Sequence, residues 1–211
     1  MKKIFFLYSF LISAFGFSQT YFFDELVTYE LKGSTGIIIK TEQRLFNSNE
    51  ESYFLRFCSD SIAELVDHQS KLIHTYFYKK GKGDEIWFKY KFSDLHEHKK
   101  LKKRSESKDY RIKKISETEY IFGQYRSPNA KNPEMFFRVF LQESDKNQFH
   151  LLGHTKPYIT EKFIAQLPSD KHYLINKMIA FHYRKEGKTT EIKLITPSEV
   201  KIILPEKLIY K

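Results

Sequence analysis

Hydrophobic positions along this chain recur mostly with a period of two, in short runs separated by polar turn residues. In Glu85–Phe92, the residues Ile86, Phe88, Tyr90 and Phe92 fall on one face while Lys89 and Lys91 fall on the other, as a half-buried strand requires. Upstream, Tyr53–Cys58, Ile62–Asp67 and Leu72–Lys79 are separated only by Ser59–Ser61 and His68–Lys71, and Lys80–Asp84 leads into Glu85–Phe92. Runs joined by so few residues pair only as antiparallel neighbours, so Ser52–Phe92 reads as a four-stranded meander. Leu26–Leu31 and Gly36–Leu45 form an earlier hairpin across Lys32–Thr35. Within it Ile37, Ile38 and Ile39 are apolar on both faces, which predicts a central or sandwiched strand. Tyr110–Ile115, Glu119–Tyr125 and Met135–Leu141 resume strand character, the last again apolar on both faces, and His150–His154 reads as a short extended piece.

The chain closes with Met178–Arg184, a turn at Lys185–Lys188, and Thr189–Ile195, setting Ile179, Phe181 and Tyr183 opposite Ile192 and Leu194. Val200–Leu204 is a last strand before Pro205. One stretch has helical spacing: Ile159, Phe163, Ile164 and Leu167 share a face, with Thr160 as N-cap and Pro168 as the stop. A helix this short is marginal alone and must pack on the sheet. The expectation is a mainly β chain: a single curved antiparallel sheet or half-barrel, with a β-sandwich as the alternative, and one short α-helix packed on it. Strands apolar on both faces, with so little helix to cover them, either close on one another or enclose an aromatic-lined pocket.

Residues 1–18 stand apart from this pattern. Lys2 and Lys3 precede the apolar run Ile4–Phe15, and Gly16-Phe17-Ser18 supplies small residues before a cut ahead of Gln19. This is a secretory leader pattern, too short for a comfortable membrane span. The expected organisation is a signal peptide at 1–18 and one domain over 19–211, periplasmic or secreted and not integral to a membrane. Composition agrees with a folded β protein: 20 Phe and 14 Tyr suit pleated surfaces, and only 8 Gly and 6 Pro argue against disorder. The single cysteine, Cys58, has no partner for an internal disulfide and reads as a buried small hydrophobe on a strand.

Charge is unevenly spread. The formal net charge is +10, and His96–Lys114 holds nine Lys or Arg against three acids. Lys99, Lys100, Lys102, Lys103 and Arg104 form its centre, a candidate grip on anionic lipid head groups or another anionic envelope surface. A solvated loop that aids solubility is the alternative. An exported chain does not meet nucleic acid, so that partner is not expected. His96, His98, His150 and His154 are the residues from which a zinc or copper site would be built. His96 and His98 sit in a strongly cationic segment and read as solvated loop histidines, and His74 reads as a core or strand-face histidine, so neither a metal nor a cofactor is expected. No G-x-S-x-G, G-x-x-x-x-G-K-[ST], G-x-G-x-x-G or H-E-x-x-H string occurs, and Gly81-Lys82-Gly83-Asp84 joins two strands as a hairpin turn. No enzymatic activity is expected.

Val27-Thr28-Tyr29-Glu30, the Tyr- and Phe-rich meander and the closing pair near Ile203-Leu204-Pro205 together resemble small envelope proteins of Gram-negative bacteria of the GLPGLI type. The layout is more remotely similar to the lipoprotein-carrier (Lol-type) half-barrels. The first resemblance implies no particular activity; the second implies a hydrophobic ligand. The sequence therefore leads to an exported, non-catalytic envelope protein that binds a hydrophobic or lipid ligand or an anionic envelope surface. A structural or protein-interaction module without a ligand pocket is the alternative, and a metal-dependent hydrolase stands behind both.

Overall fold

The computed structural model describes residues 19–81, 85–95, 109–152, 165, 167, 171–182 and 185–211. These form eleven strands: β1 (Thr20–Lys32), β2 (Ile38–Asn47), β3 (Glu50–Phe57), β4 (Ile62–Asp67), β5 (Leu72–Lys80), β6 (Ile86–Leu95), β7 (Asp109–Lys114), β8 (Glu119–Tyr125), β9 (Met135–Glu143), β10 (Tyr173–His182) and β11 (Lys185–Ile203). All lie in one antiparallel sheet, in the order β6-β5-β4-β3-β2-β1-β11-β10-β9-β8-β7. The sheet is curved and unclosed, so the single-sheet expectation holds and the sandwich alternative does not. The expected helix over Ile159–Leu167 lies almost entirely outside the described residues.

What organises the sheet is that its two halves bury opposite faces. Leu45 and Phe46 are neighbours on β2 and point to opposite sides, yet each is only 1% exposed. Leu45 belongs to a core with Tyr21, Phe23, Leu55, Leu65, Tyr76 and Ile202. Phe46 belongs to another, with Val27, Tyr29 and Leu151. Ile192 packs against this second core and also against the one built on β7–β10 around Tyr120, Phe122, Val139 and Ile175. The β1–β6 half is thus buried mainly on one face and the β7–β11 half on the other, with β1, β2 and β11 contributing to both and Val66 of β4, 2% exposed, lying on the Phe46 side.

Each core has its own cover. Over the second, a 3-10 turn (Phe149–Leu152) lays Leu151, fully buried, against the sheet. The Tyr29 hydroxyl donates to the Leu151 carbonyl, and Gln148 Nε2 donates to Glu25 Oε1 at 2.8 Å. Over the first, Leu204 and Leu208 pack on the core. Ser93 N–H then donates to Ile209 O at 2.7 Å, and Lys211 N–H to Ser93 O at 3.1 Å. The backbone groups at the end of β6 are satisfied by this segment.

Several expectations are corrected. Ile37, Ile38 and Ile39 are not sandwiched; they are 69%, 50% and 60% exposed. The reason is register: β3 meets β2 only from Arg44 onward, so the first part of β2 has β1 alone beside it. Cys58 is exposed because β3 ends at Phe57 and Cys58 N–H already turns to Ile62 O. His150 lies in the 3-10 turn, not an extended piece. The two closing strands are one, β11, running through Pro197. Register shifts between Phe23 and Glu25 and between Thr28 and Tyr29 interrupt its side-chain alternation, which is why the sequence reads as two pieces. The β10–β11 register also differs, with Met178 opposite Thr190 and His182 opposite Lys185. Gly187 sits at a shift in that pairing, where a Cβ would lie 2.4 Å from Ala180 O. Only glycine fits so close an approach.

Candidate interface on β5 and β6

Two groupings of polar side chains stand out, one buried and one exposed. The buried one lies in the first core. Asp67, 1% exposed, closes β4; its Oδ1 accepts from Gln69 N–H at 2.8 Å and Ser70 N–H at 3.0 Å, fixing the turn into β5. Its Oδ2 accepts from the Tyr21 hydroxyl at 2.7 Å. Burial alone would raise the Asp67 carboxyl, but the hydrogen bonds from Ser70, Tyr21 and Gln69 outweigh it and hold the pKa below its ordinary value. Burial, reinforced by Asp67, pushes the Tyr21 hydroxyl the other way, upward.

His74, also 1% exposed, shares a 2.7 Å hydrogen bond between Nδ1 and Ser93 Oγ. Ser93 Oγ is in turn 2.7 Å from the Tyr90 hydroxyl. A serine, a histidine and an aspartate in one cluster invite comparison with a hydrolytic triad. Ser93, however, is fully buried, and the oxygens of Asp67 are taken by Tyr21 and the turn amides. The geometry is that of a latch joining β5 and β6 beneath the segment that covers them, not of an accessible nucleophile.

Burial lowers the His74 pKa, against a smaller opposing pull from Asp67. Burial likewise lowers that of His150, whose Nε2 donates to Asn47 O at 3.1 Å. A histidine held neutral in the fold takes up its proton more readily when unfolded. Its contribution is therefore complete above the unfolded value of about 6.5 and shrinks as pH falls toward the folded pKa. Urea midpoints measured between pH 7.5 and 5.5 will fall below about pH 6.5, and His74→Gln will flatten that slope; a midpoint rising on acidification would contradict the assignment.

The exposed grouping is on the opposite face of β5 and β6. Thr75 pairs with Phe92 but Tyr76 with Tyr90, so Lys91 is an extra residue in β6. This bulge moves Phe92 off the face of Phe88 and Tyr90, where alternation in the sequence had placed it, onto that of Phe77 and the lysines. Lys91 Nζ lies 4.6 Å from the Phe77 ring centroid and 5.6 Å from that of Phe92, and Lys211 Nζ lies 5.4 Å from Phe92. Across the pair, Lys79 stands opposite Trp87 and Phe77 opposite Lys89. Phe77 and Trp87 are 43% and 67% exposed. Lys79, Lys89, Lys91 and Lys211 have no acidic partner among the described residues, and Glu85 and Asp94 are the neighbouring acids. Aromatic rings beside ammonium groups that no described acid pairs suit a ligand that carries negative charge next to apolar or planar matter.

The cations singled out from sequence, Lys99, Lys100, Lys102, Lys103 and Arg104, lie outside the described residues, between the end of β6 and the start of β7. So do His96 and His98, and His154, which follows the 3-10 turn, is also outside the described residues. Among the described residues no three of His, Cys, Asp and Glu converge as metal ligands. No helix among them is long and apolar enough to cross a membrane. Partial cover and the Glu64 carboxylate raise the Cys58 thiol pKa, the reverse of what a nucleophilic cysteine needs. The β5–β6 face was missed in the sequence because its lysines read as an ordinary solvated side and Phe92 was assigned to the other one.

No family model matches the chain, and no curated protein matches it. Among solved structures, a structure of PNGF-II in space group C2 aligns with 92% of this chain at 10% identity and a TM-score of 0.39. This chain spans about a third of that protein, 31% of its length. A putative outer membrane lipoprotein-sorting protein domain from Vibrio parahaemolyticus aligns over 82% of this chain and 85% of its own, at 10% identity and a TM-score of 0.21. At these scores neither likeness establishes a shared fold.

Proposed function

We propose that this is an exported, non-catalytic binding protein of the cell envelope that holds an anionic lipid surface through the β5–β6 face. The observation that carries the reading is the set Phe77, Trp87 and Phe92 interleaved with Lys79, Lys89, Lys91 and Lys211 on one open side of the sheet. Lysines next to lipid phosphates contribute about 1 kcal/mol each, and exposed aromatic rings belong at the boundary between head groups and chains. The excess of cations over the whole chain, +10, acts in the same direction at longer range. The Lys99–Arg104 run, next in sequence after β6, adds to the same charge, and the leader pattern of residues 1–18 supports export.

Sedimentation with vesicles of phosphatidylcholine containing 30 mol% phosphatidylglycerol tests this. Binding is expected to fall with added salt and to be weak on pure phosphatidylcholine. Replacing Lys79, Lys89 and Lys91 together by Gln removes about 3 kcal/mol, roughly a hundredfold in affinity. Equal binding to neutral vesicles, or an unchanged affinity in the triple variant, refutes the reading. A second reading, a protein-interaction module, is favoured by β7, which ends the sheet with an edge that no described strand pairs. Its lysines Lys113 and Lys114 are the usual guard of such an edge, so a partner strand there would have to be acidic.

A further inference from the structure

We infer that the β1–β2 hairpin tip enters the hydrocarbon region of the bilayer, with Ile37, Ile38 and Ile39 as the inserted residues; this rests on the lipid-surface reading above. Ile37 precedes β2 and Ile38 and Ile39 open it, where a register shift against β1 makes Ile39 an extra residue, so no regular sheet face covers the three. Here none is covered, at 69%, 50% and 60% exposure. Large apolar residues are exposed at the other end of the sheet too, among them Phe22, Ile203 and Tyr210. No three of those are consecutive, and Lys201 lies over the Phe22 ring at 5.2 Å.

The tip is built to stand clear. From Ile38 to Gln43, β2 has β1 as its sole described neighbour, because β3 joins only at Arg44. Gly36, at φ 79°, supplies the left-handed residue of the turn. Its N–H closes onto Gly33 O at 3.0 Å, and Gly33 N–H bonds Ile37 O at 2.9 Å. Residues 33–39, Gly-Ser-Thr-Gly-Ile-Ile-Ile, carry no charge. Lys32 and Lys40 bracket them, and their ammonium groups are paired with Glu191 at 2.8 Å and Glu42 at 3.0 Å. A neutral apolar tip with a charged collar matches a bilayer's hydrocarbon and its head-group layer.

The position of the tip relative to the β5–β6 face selects a bilayer over other occupants. In an antiparallel sheet the β1–β2 and β5–β6 turns fall at the same end. Arg44 pairs with Arg56, Arg56 with Glu64, and Glu64 with Thr75. Four residues further along each strand, Lys40 of β2 is level with Lys79 of β5, which pairs with Trp87. The isoleucines and the only tryptophan of the chain thus lie at the same end of the sheet, four strand spacings or about 19 Å apart along it. A flat lipid surface meets both at once, whereas a small ligand spans neither.

The test moves the tryptophan. In Trp87→Phe, Ile38→Trp protein, with the fold checked by circular dichroism, the lone indole at the tip reports on the hairpin. On vesicles containing phosphatidylglycerol its emission shifts to the blue and is quenched by lipids carrying a nitroxide on the acyl chain. In the native chain, Ile38→Asp weakens vesicle binding by tenfold or more. Sedimentation that persists without blue shift or quenching overturns insertion and leaves the lipid-surface reading intact. Absence of sedimentation by the unchanged protein overturns both. If Ile38→Asp instead converts an oligomer to a monomer and leaves vesicle binding unaltered, the tip joins two copies of this chain and the inference is wrong.

Discussion

Leu45→Ala and Phe46→Ala will each destabilise the protein severely, although the two residues are adjacent on one strand. Truncating a buried leucine costs about 2–5 kcal/mol, and a buried phenylalanine about 3–5 kcal/mol. On a strand with one covered face, one of two neighbours is solvated, and its truncation typically changes stability by less than about 0.5 kcal/mol. Here both side chains are 1% exposed, Leu45 in the core with Leu55 and Leu65 and Phe46 in the core with Val27, Tyr29 and Leu151. Phe46 further stacks on Phe54 with ring centroids 5.7 Å apart. Chemical denaturation of the two single variants measures this directly. A change of under 0.5 kcal/mol in either would show that one face of β2 is open, and the two-faced sheet would be wrong.

Asp67→Ala carries the second large effect. The substitution removes the acceptor for the Tyr21 hydroxyl and for the amides of Gln69 and Ser70 at once. Tyr21 is 1% exposed, so water does not replace the lost partner without opening the core. The buried donor left unpaired costs about 1–3 kcal/mol, while the amides of the exposed Gln69 and Ser70 turn to water, so a loss of about 1–3 kcal/mol is expected. Because the folded state holds the Asp67 carboxyl below its ordinary pKa, the native protein gains this carboxylate's contribution above about pH 4 and loses it as pH falls further. The alanine variant lacks that acid-sensitive part. Asp67→Asn keeps an acceptor for the turn amides and is expected to recover part of the stability. Equal stability of wild type and Asp67→Ala would mean that the turn and the Tyr21 hydroxyl find other partners.

Most of the fold was legible because strand alternation and tight turns are local properties. The meander over β3–β6, the β1–β2 hairpin and β7–β9 follow from period-two spacing and short polar connections. The candidate interface was legible only in part. Lys89 and Lys91 were placed on one side of β6, but the bulge at Lys91 that brings Phe92 to join them depends on how β6 pairs with β5. The Ile37–Ile39 run illustrates the opposite error. Apolar content argued for cover on both sides, while the length of the neighbouring strand β3, set elsewhere in the chain, leaves it bare.

The sequence by itself determined that this chain is antiparallel β, where most strands run, and that its charge is strongly positive, since each follows from residues close together. Only the tertiary structure decided which face each strand buries, that β11 runs unbroken through Pro197, and that Asp67, His74 and Ser93 meet in one core. The physical reason is that alternation assigns side chains to two faces but does not say which face another segment covers. That choice rests on the 3-10 turn at Phe149–Leu152 and the segment Leu204–Lys211, which come from distant parts of the chain and cover opposite sides of the sheet.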